Sequence, residues 1–139
     1  MARPNQARLN LSALRHNVSV ARKLAPQSKV MAVVKANAYG HGAAIIAGAL
    51  QSHADALAVA CLEEAAALRD AGITLPILLL EGIFEASELG IAAQLDVWLS
   101  IHSEQQLQWL EDATLSAPLP CWLKVDTGMN RLGVTPASA

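Results

Sequence analysis

The chain has 139 residues, of which 53% are hydrophobic and only 16% charged. Lys and Arg number 10 against 12 Asp and Glu, a formal charge of −2, so charge gives no reason to invoke nucleic acid or an anionic membrane. A single domain with a sizeable core is expected, with more apolar surface than so small a domain readily hides.

Met1 to Gln6 is followed by no apolar run of the kind a secretory leader carries. Leu11 to Leu24 is expected to be a helix, with Ser12 as N-cap, Leu14, Val18, Ala21 and Leu24 on one face, and Pro26 as its stop. Lys29 to Val34 is the first expected strand, and Ala43 to Leu50, after the turn Gly40-His41-Gly42, the second helix. Asp55 to Ala60 is a second strand. Cys61 to Ala71 is a helix with Glu63 and Glu64 in its first turn, Arg69 in its last and Gly72 just beyond, charges that suit its dipole. Pro76 to Glu81, Asp96 to Ile101 and Cys121 to Val125 are the remaining strands. Glu85 to Gln94 is a helix between the first two of these. Ser103 and Gln106 form a capping box that opens another, carrying Leu107, Leu110 and Ala113.

Strands alternating with helices of this length predict an α/β fold of parallel βα units. Two architectures compete. A doubly wound open sheet is complete with five strands; a TIM-type barrel needs eight, in roughly 250 residues. Length favours the first. The placement of Lys35 after strand one, with Lys124 and Arg131 at or past the end of strand five, favours the second. In a flat sheet of sequential order those ends stand roughly 19 Å apart, whereas in a barrel they face one mouth.

Lys35 ends the apolar run Val30 to Val34, where parallel sheets carry their active-site loops. An apolar setting lowers an amine's pKa, and a neutral amine can form a Schiff base with a carbonyl. A lysine that merely snorkels to solvent fits the same pattern, and the residue alone leaves both readings open.

The continuation Lys35-Ala36-Asn37-Ala38-Tyr39-Gly40-His41-Gly42 resembles the pyridoxal phosphate attachment motif of bacterial alanine racemases. A second block, Trp122-Leu123-Lys124-Val125-Asp126-Thr127-Gly128-Met129-Asn130-Arg131-Leu132-Gly133, resembles the second conserved block of that family. The resemblance implies residues 1–139 as the amino-terminal part of an eight-stranded, pyridoxal 5′-phosphate-binding barrel domain, its first five strands, with the carboxyl-terminal β-domain absent. It implies a cytoplasmic homodimer that interconverts L- and D-alanine, for peptidoglycan or for alanine catabolism. Lys35 then holds the cofactor as an internal aldimine and is the base facing D-alanine. Tyr39 donates to the cofactor phosphate, and Arg131 lies near the substrate carboxylate. Lys124 matches a lysine that some members carbamylate. The base for the other face is, in the family, a tyrosine of the partner subunit. This chain holds one tyrosine, Tyr39, so the 139 residues alone are expected to be inactive.

Rival readings weigh less. Val125-Asp126-Thr127-Gly128 also matches the aspartic protease signature, but that fold is β-rich and needs most of its chain after the motif; Asp126 is read as a turn acceptor. A non-catalytic pyridoxal phosphate carrier shares the lysine without its continuation, and a racemase of another small amino acid stays open. His41 is expected to hydrogen-bond the start of the following helix, and His16, His53 and His102 to be surface or satisfied residues. Glu63 and Glu64 are expected to face solvent. Trp98, Trp109 and Trp122 read as core or interface. Cys61 and Cys121 lack metal-ligand spacing and are expected reduced and buried. No apolar run, Ile77 to Leu80 among them, is long enough to cross a bilayer.

Overall fold

Each strand is short and apolar, and each is followed by enough helical sequence to carry the chain back to the same end of the sheet, so every neighbouring pair is parallel. In the computed structural model, which describes residues 6–139, β1 (Met31–Val33), β2 (Ala56–Val59), β3 (Ile77–Leu79), β4 (Val97–Ile101) and β5 (Cys121–Leu123) form one sheet in the order β1-β2-β3-β4-β5. The helices are α1 (Leu11–Leu24), α2 (Lys35–Tyr39), α3 (Ala43–Leu50), α4 (Leu62–Asp70), α5 (Glu88–Gln94) and α6 (Glu104–Asp112). Apart from Gln6, the stretch read for a leader lies outside the described residues.

Strictly sequential order decides between the two architectures. A doubly wound sheet reverses its strand order at a switch point, and this sheet has none. It is the five-stranded part of a TIM-type barrel wall, left unclosed.

Register sorts the side chains. The row Ala32, Leu57, Ile77, Val97 lies on one face, as does Val59, Leu79, Leu99, and these belong to the core packed beneath the helices with Leu62, Leu68, Leu89 and Ile83. Fully burying each leucine or isoleucine stabilises the fold by roughly 1.5–3 kcal/mol. The alternate row, Val33, Ala58, Leu78, Trp98, lies on the opposite face, together with Trp122, paired to Ser100. That face is concave: Met31 and Ala56 line one cavity of about 400 Å³ with Trp98 and Trp122, although first and fifth strands of a flat sheet stand roughly 19 Å apart. The Trp98 and Trp122 rings lie 6.1 Å apart, tilted by 36°, within the range of favourable aromatic pairs. The concave face and both edges stay open, with Val33 43% and Trp122 53% exposed.

Several local expectations are corrected. Asn10, not Ser12, caps α1: its Oδ1 accepts from Ala13 N at 3.0 Å, and Ser12 Oγ donates to the same oxygen. The helix expected from Glu85 begins at Glu88, where the Glu88 carboxylate turns back to accept from Phe84 N. Cys61 and Cys121 are free thiols, as expected, but neither is buried: Cys61 is half-buried, and Cys121 is exposed because β5 is an edge strand. Ser103 caps α6 as expected, while Gln106 completes the box one residue early, accepting from His102 N at 3.0 Å.

Candidate active site

The carboxyl ends of the first and last strands carry the residues singled out for chemistry. β1 runs directly into α2, and α2 is left-handed. Ala36, Asn37, Ala38 and Tyr39 have φ of 51°, 54°, 53° and 53°. An L-residue in that region costs roughly 1–2 kcal/mol, so four in succession persist only where surroundings hold them. Ala38 N donates to Val34 O at 2.8 Å, and Gly40 N to Ala36 O at 3.1 Å. Gly42 N reaches back to Asn37 O at 2.9 Å, and Asn37 Oδ1 accepts from Ala43 N at 2.8 Å, starting α3. Ala38 is buried among the core residues.

Lys35 begins this turn and is half-buried. Tyr39 closes it with its side chain 63% exposed. His41 was expected to bond forward to the next helix; its Nδ1 instead donates backward to Ala38 O at 2.9 Å, stitching the left-handed turn to Gly42.

At the other edge, β5 extends one rung further, Lys124 N donating to Ile101 O at 2.8 Å. The chain then makes a closed loop: Asp126 N donates to Val134 O at 2.9 Å and Val134 N to Lys124 O at 3.0 Å. Asp126 organises its interior, accepting from Gly128 N at 2.9 Å and Asn130 N at 3.1 Å. Those two N–H groups, the Gly128 one foremost, hold its carboxyl below the usual range against the opposing effect of desolvation, with Met129 N–H and Lys124 adding to them. Gly133 must be glycine: its φ is 124°, and a Cβ would stand 2.7 Å from Asp126 N. Arg131 is carried on this loop, exposed, while Lys124 at its base is half-buried. Leu132 lines a cavity of about 230 Å³ with Glu81, Ile83, Phe84 and His102, so the loop after β5 meets those after β3 and β4. His102 is satisfied there, its Nε2 donating to Glu81 O at 3.0 Å.

The fold thus sets Lys35, Tyr39, Lys124 and Arg131 at one end of the sheet, but on its first and last strands. No ion pair joins them; the ion pairs among the described residues are Arg22 and Lys29 with Asp55, at the opposite end. Asp126 serves the loop as a turn acceptor, which removes the ground for a protease reading.

Residues 9–139 match the family described as alanine racemase, N-terminal domain. The chain belongs to that family. It is 54% identical to the alanine racemase of Thioalkalivibrio sulfidiphilus over all of its own length and 39% of the relative's. It is likewise 54% identical to the catabolic alanine racemase of Pseudomonas putida, over 96% of this chain and 37% of that one. The crystal structure of the biosynthetic alanine racemase from Pseudomonas aeruginosa superposes with a TM-score of 0.87 at 53% identity, covering 92% of this chain and 36% of that one. The alanine racemase structure from Acinetobacter baumannii gives 0.84 at 36% identity. The chain therefore spans less than two fifths of the length of the relatives it matches.

One residue of this alanine racemase domain was misread from sequence. Glu63 is exposed as expected, but Glu64 is not spent on solvent. Its Oε1 accepts from Ala36 N at 2.6 Å and its Oε2 from Ala60 N at 2.8 Å. The legible signal was its place at the third position of a helix, where a carboxylate reaches back to the preceding backbone. The contact to Ala36, in the turn after β1, has no local signature. Among the described residues no helix is long and apolar enough to cross a membrane.

Proposed function

We propose that the chain supplies the cofactor lysine and one half of the active-site mouth of a pyridoxal phosphate-dependent alanine racemase, the amino-terminal part of a barrel domain that works in the cytoplasm as a homodimer. The observation that carries this reading is the emergence of both family blocks, Lys35 to Gly42 and Trp122 to Gly133, at the carboxyl end of one parallel sheet. The donor set suits an anionic aldehyde cofactor: an amine for the carbonyl, a phenol O–H that donates without adding charge, and a guanidinium fork.

Bound there, pyridoxal phosphate supplies the electron sink that acidifies the α-proton of alanine. Lys35 Nζ would hold the cofactor through its carbonyl and would act as the base for the α-proton on the face that gives D-alanine. Tyr39 Oη donates to the phosphate. Arg131 orients the substrate carboxylate by paired N–H donors. Lys124, where carbamylated, becomes an anion and pairs with Arg131. The proton on the opposite face needs a second base, which the family resemblance implies to be a tyrosine of the partner subunit.

The test is the full gene product with pyridoxal phosphate. Alanine should racemise by polarimetry, and Lys35→Ala should lose both turnover and the visible absorbance of bound cofactor. Survival of that absorbance in the variant would overturn the assignment of Lys35.

A further inference from the structure

Beyond the last paired residues of β1 and β2, the ladder ends. Val34 N donates to Ala58 O at 2.8 Å, and after it no strand partner remains for the next donors. Two backbone N–H groups past that point, Ala36 N and Ala60 N, converge on one carboxylate, Glu64. Glu64 rises from the first turn of α4, and Ala36 is the first left-handed residue after Lys35.

We propose that Glu64 is the positioning residue of Lys35: a two-pronged acceptor that adds a final rung between β1 and β2 and locks the Lys35–Ala36 peptide. Three observations support more than helix capping. The Ala60 bond is the local one, four residues back along the chain, but the Ala36 bond crosses 28 residues and is the shorter of the two. The peptide it holds opens a run of four left-handed residues, which must be held from outside. No other acceptor holds Ala36 N among the described residues. The two donors approach different oxygens of Glu64, Ala36 N on Oε1 and Ala60 N on Oε2, an arrangement a carboxylate satisfies and a primary amide does not. Glutamine would turn its NH₂ toward one of the two.

The proposal rests on the reading of Lys35 as the cofactor lysine, and its test separates the two. In the full gene product without cofactor, amide hydrogen exchange is read at Ala36 and Ala60. With pyridoxal phosphate, borohydride trapping and peptide mapping give the labelling rate of Lys35 against that of Lys29, a solvated lysine at the other end of the sheet. Glu64→Gln should deprotect Ala36 and slow labelling of Lys35 roughly tenfold or more, with Lys29 unchanged and the unfolding transition still cooperative. Glu64→Asp, one methylene shorter, should keep the Ala60 bond, lose the Ala36 bond and still label Lys35 slowly; a pure helix cap would instead be rescued. Glu63→Gln should change nothing. Wild-type labelling of Lys35 in Glu64→Gln or Glu64→Asp, with the Ala36 amide deprotected, overturns the positioning role. Lys35 labelled no faster than Lys29 in the unsubstituted protein overturns the cofactor reading, and the positioning role that rests on it, whatever the exchange data show.

Discussion

Gln106 straddles the backbone of Gly82: its Nε2 donates to Glu81 O and to Ile83 O, 2.9 Å each, so one amide clasps both neighbours of the glycine. Gln106 is 3% exposed, and its Oε1 is taken by His102 N. Gly82 has φ of 66°, and a Cβ there would stand 2.4 Å from Ser100 O. The bend after β3 and the start of α6 are therefore one unit. Gln106→Leu strands Ile83 O and His102 N, leaves Glu81 O only its bond from His102 Nε2, and should cost about 2–3 kcal/mol. Gly82→Ala should cost at least as much, by clash with backbone that cannot yield. Urea unfolding measures both, and a loss under about 0.5 kcal/mol in either would show that the bend is not held this way.

The left-handed turn after β1 predicts an inversion of the usual glycine penalty. Ala36 is exposed at φ 51°, so Ala36→Gly relieves strain while losing no packing, and should leave stability unchanged or raise it by up to about 1 kcal/mol. Ala36→Val should destabilise by about 2 kcal/mol or more, since branching worsens the left-handed clash. Equal thermal midpoints for the valine and glycine variants would argue against the turn.

Arg69 binds four carbonyls at the amino-terminal side of the sheet: Leu95 and Asp96 after α5, Ile73 and Leu75 before β3, at 2.8–2.9 Å. The planar fork matches this set and an ammonium does not. Arg69→Lys should therefore lose most of what Arg69→Ala loses, about 2–3 kcal/mol by chemical denaturation. Full retention of stability by lysine would refute the fork.

Asp55 and Asp126 contribute to the acid limb of stability. Val30 N–H, then Arg22 and Lys29, hold the Asp55 carboxyl below its ordinary value of 3.8, against desolvation; backbone donors do the same for Asp126. A carboxyl depressed in the folded state stabilises fully above its unfolded value and loses that contribution as pH falls through its folded value. Stability owed to these groups should be flat near neutrality and fall only below the ordinary carboxylate value. Asp55→Asn should flatten the acid limb. An identical pH profile for the variant and the parent would count against the assignment.

Tyr39→Phe should weaken retention of pyridoxal phosphate about tenfold or more, the worth of one hydrogen bond to a charged acceptor, while leaving the fold intact, since the ring is exposed. Dialysis followed by absorbance measures it. Unchanged retention would remove Tyr39 from the phosphate site.

The order of elements was legible because apolar periodicity and caps are local: α3 is found where its apolar face predicts it, α1 within the same bounds, and each strand within a few residues of its apolar run. Both family blocks were legible because their residues are contiguous. What local pattern could not reveal is which groups meet across the sheet. Asn10 took the cap from Ser12, two residues away, in a choice that propensity ranks as equal. Glu64 looked like a solvated helix start, because its second partner, Ala36, is 28 residues away. Ala36 to Tyr39 carry no glycine to announce a left-handed turn, and such a turn is favourable only once Val34, Asn37 and Glu64 accept or donate around it. Lys35 was singled out by the residues that follow it; where its backbone is held, and by what, was decided only when β1 and β2 came side by side and left two amide donors with a single carboxylate between them.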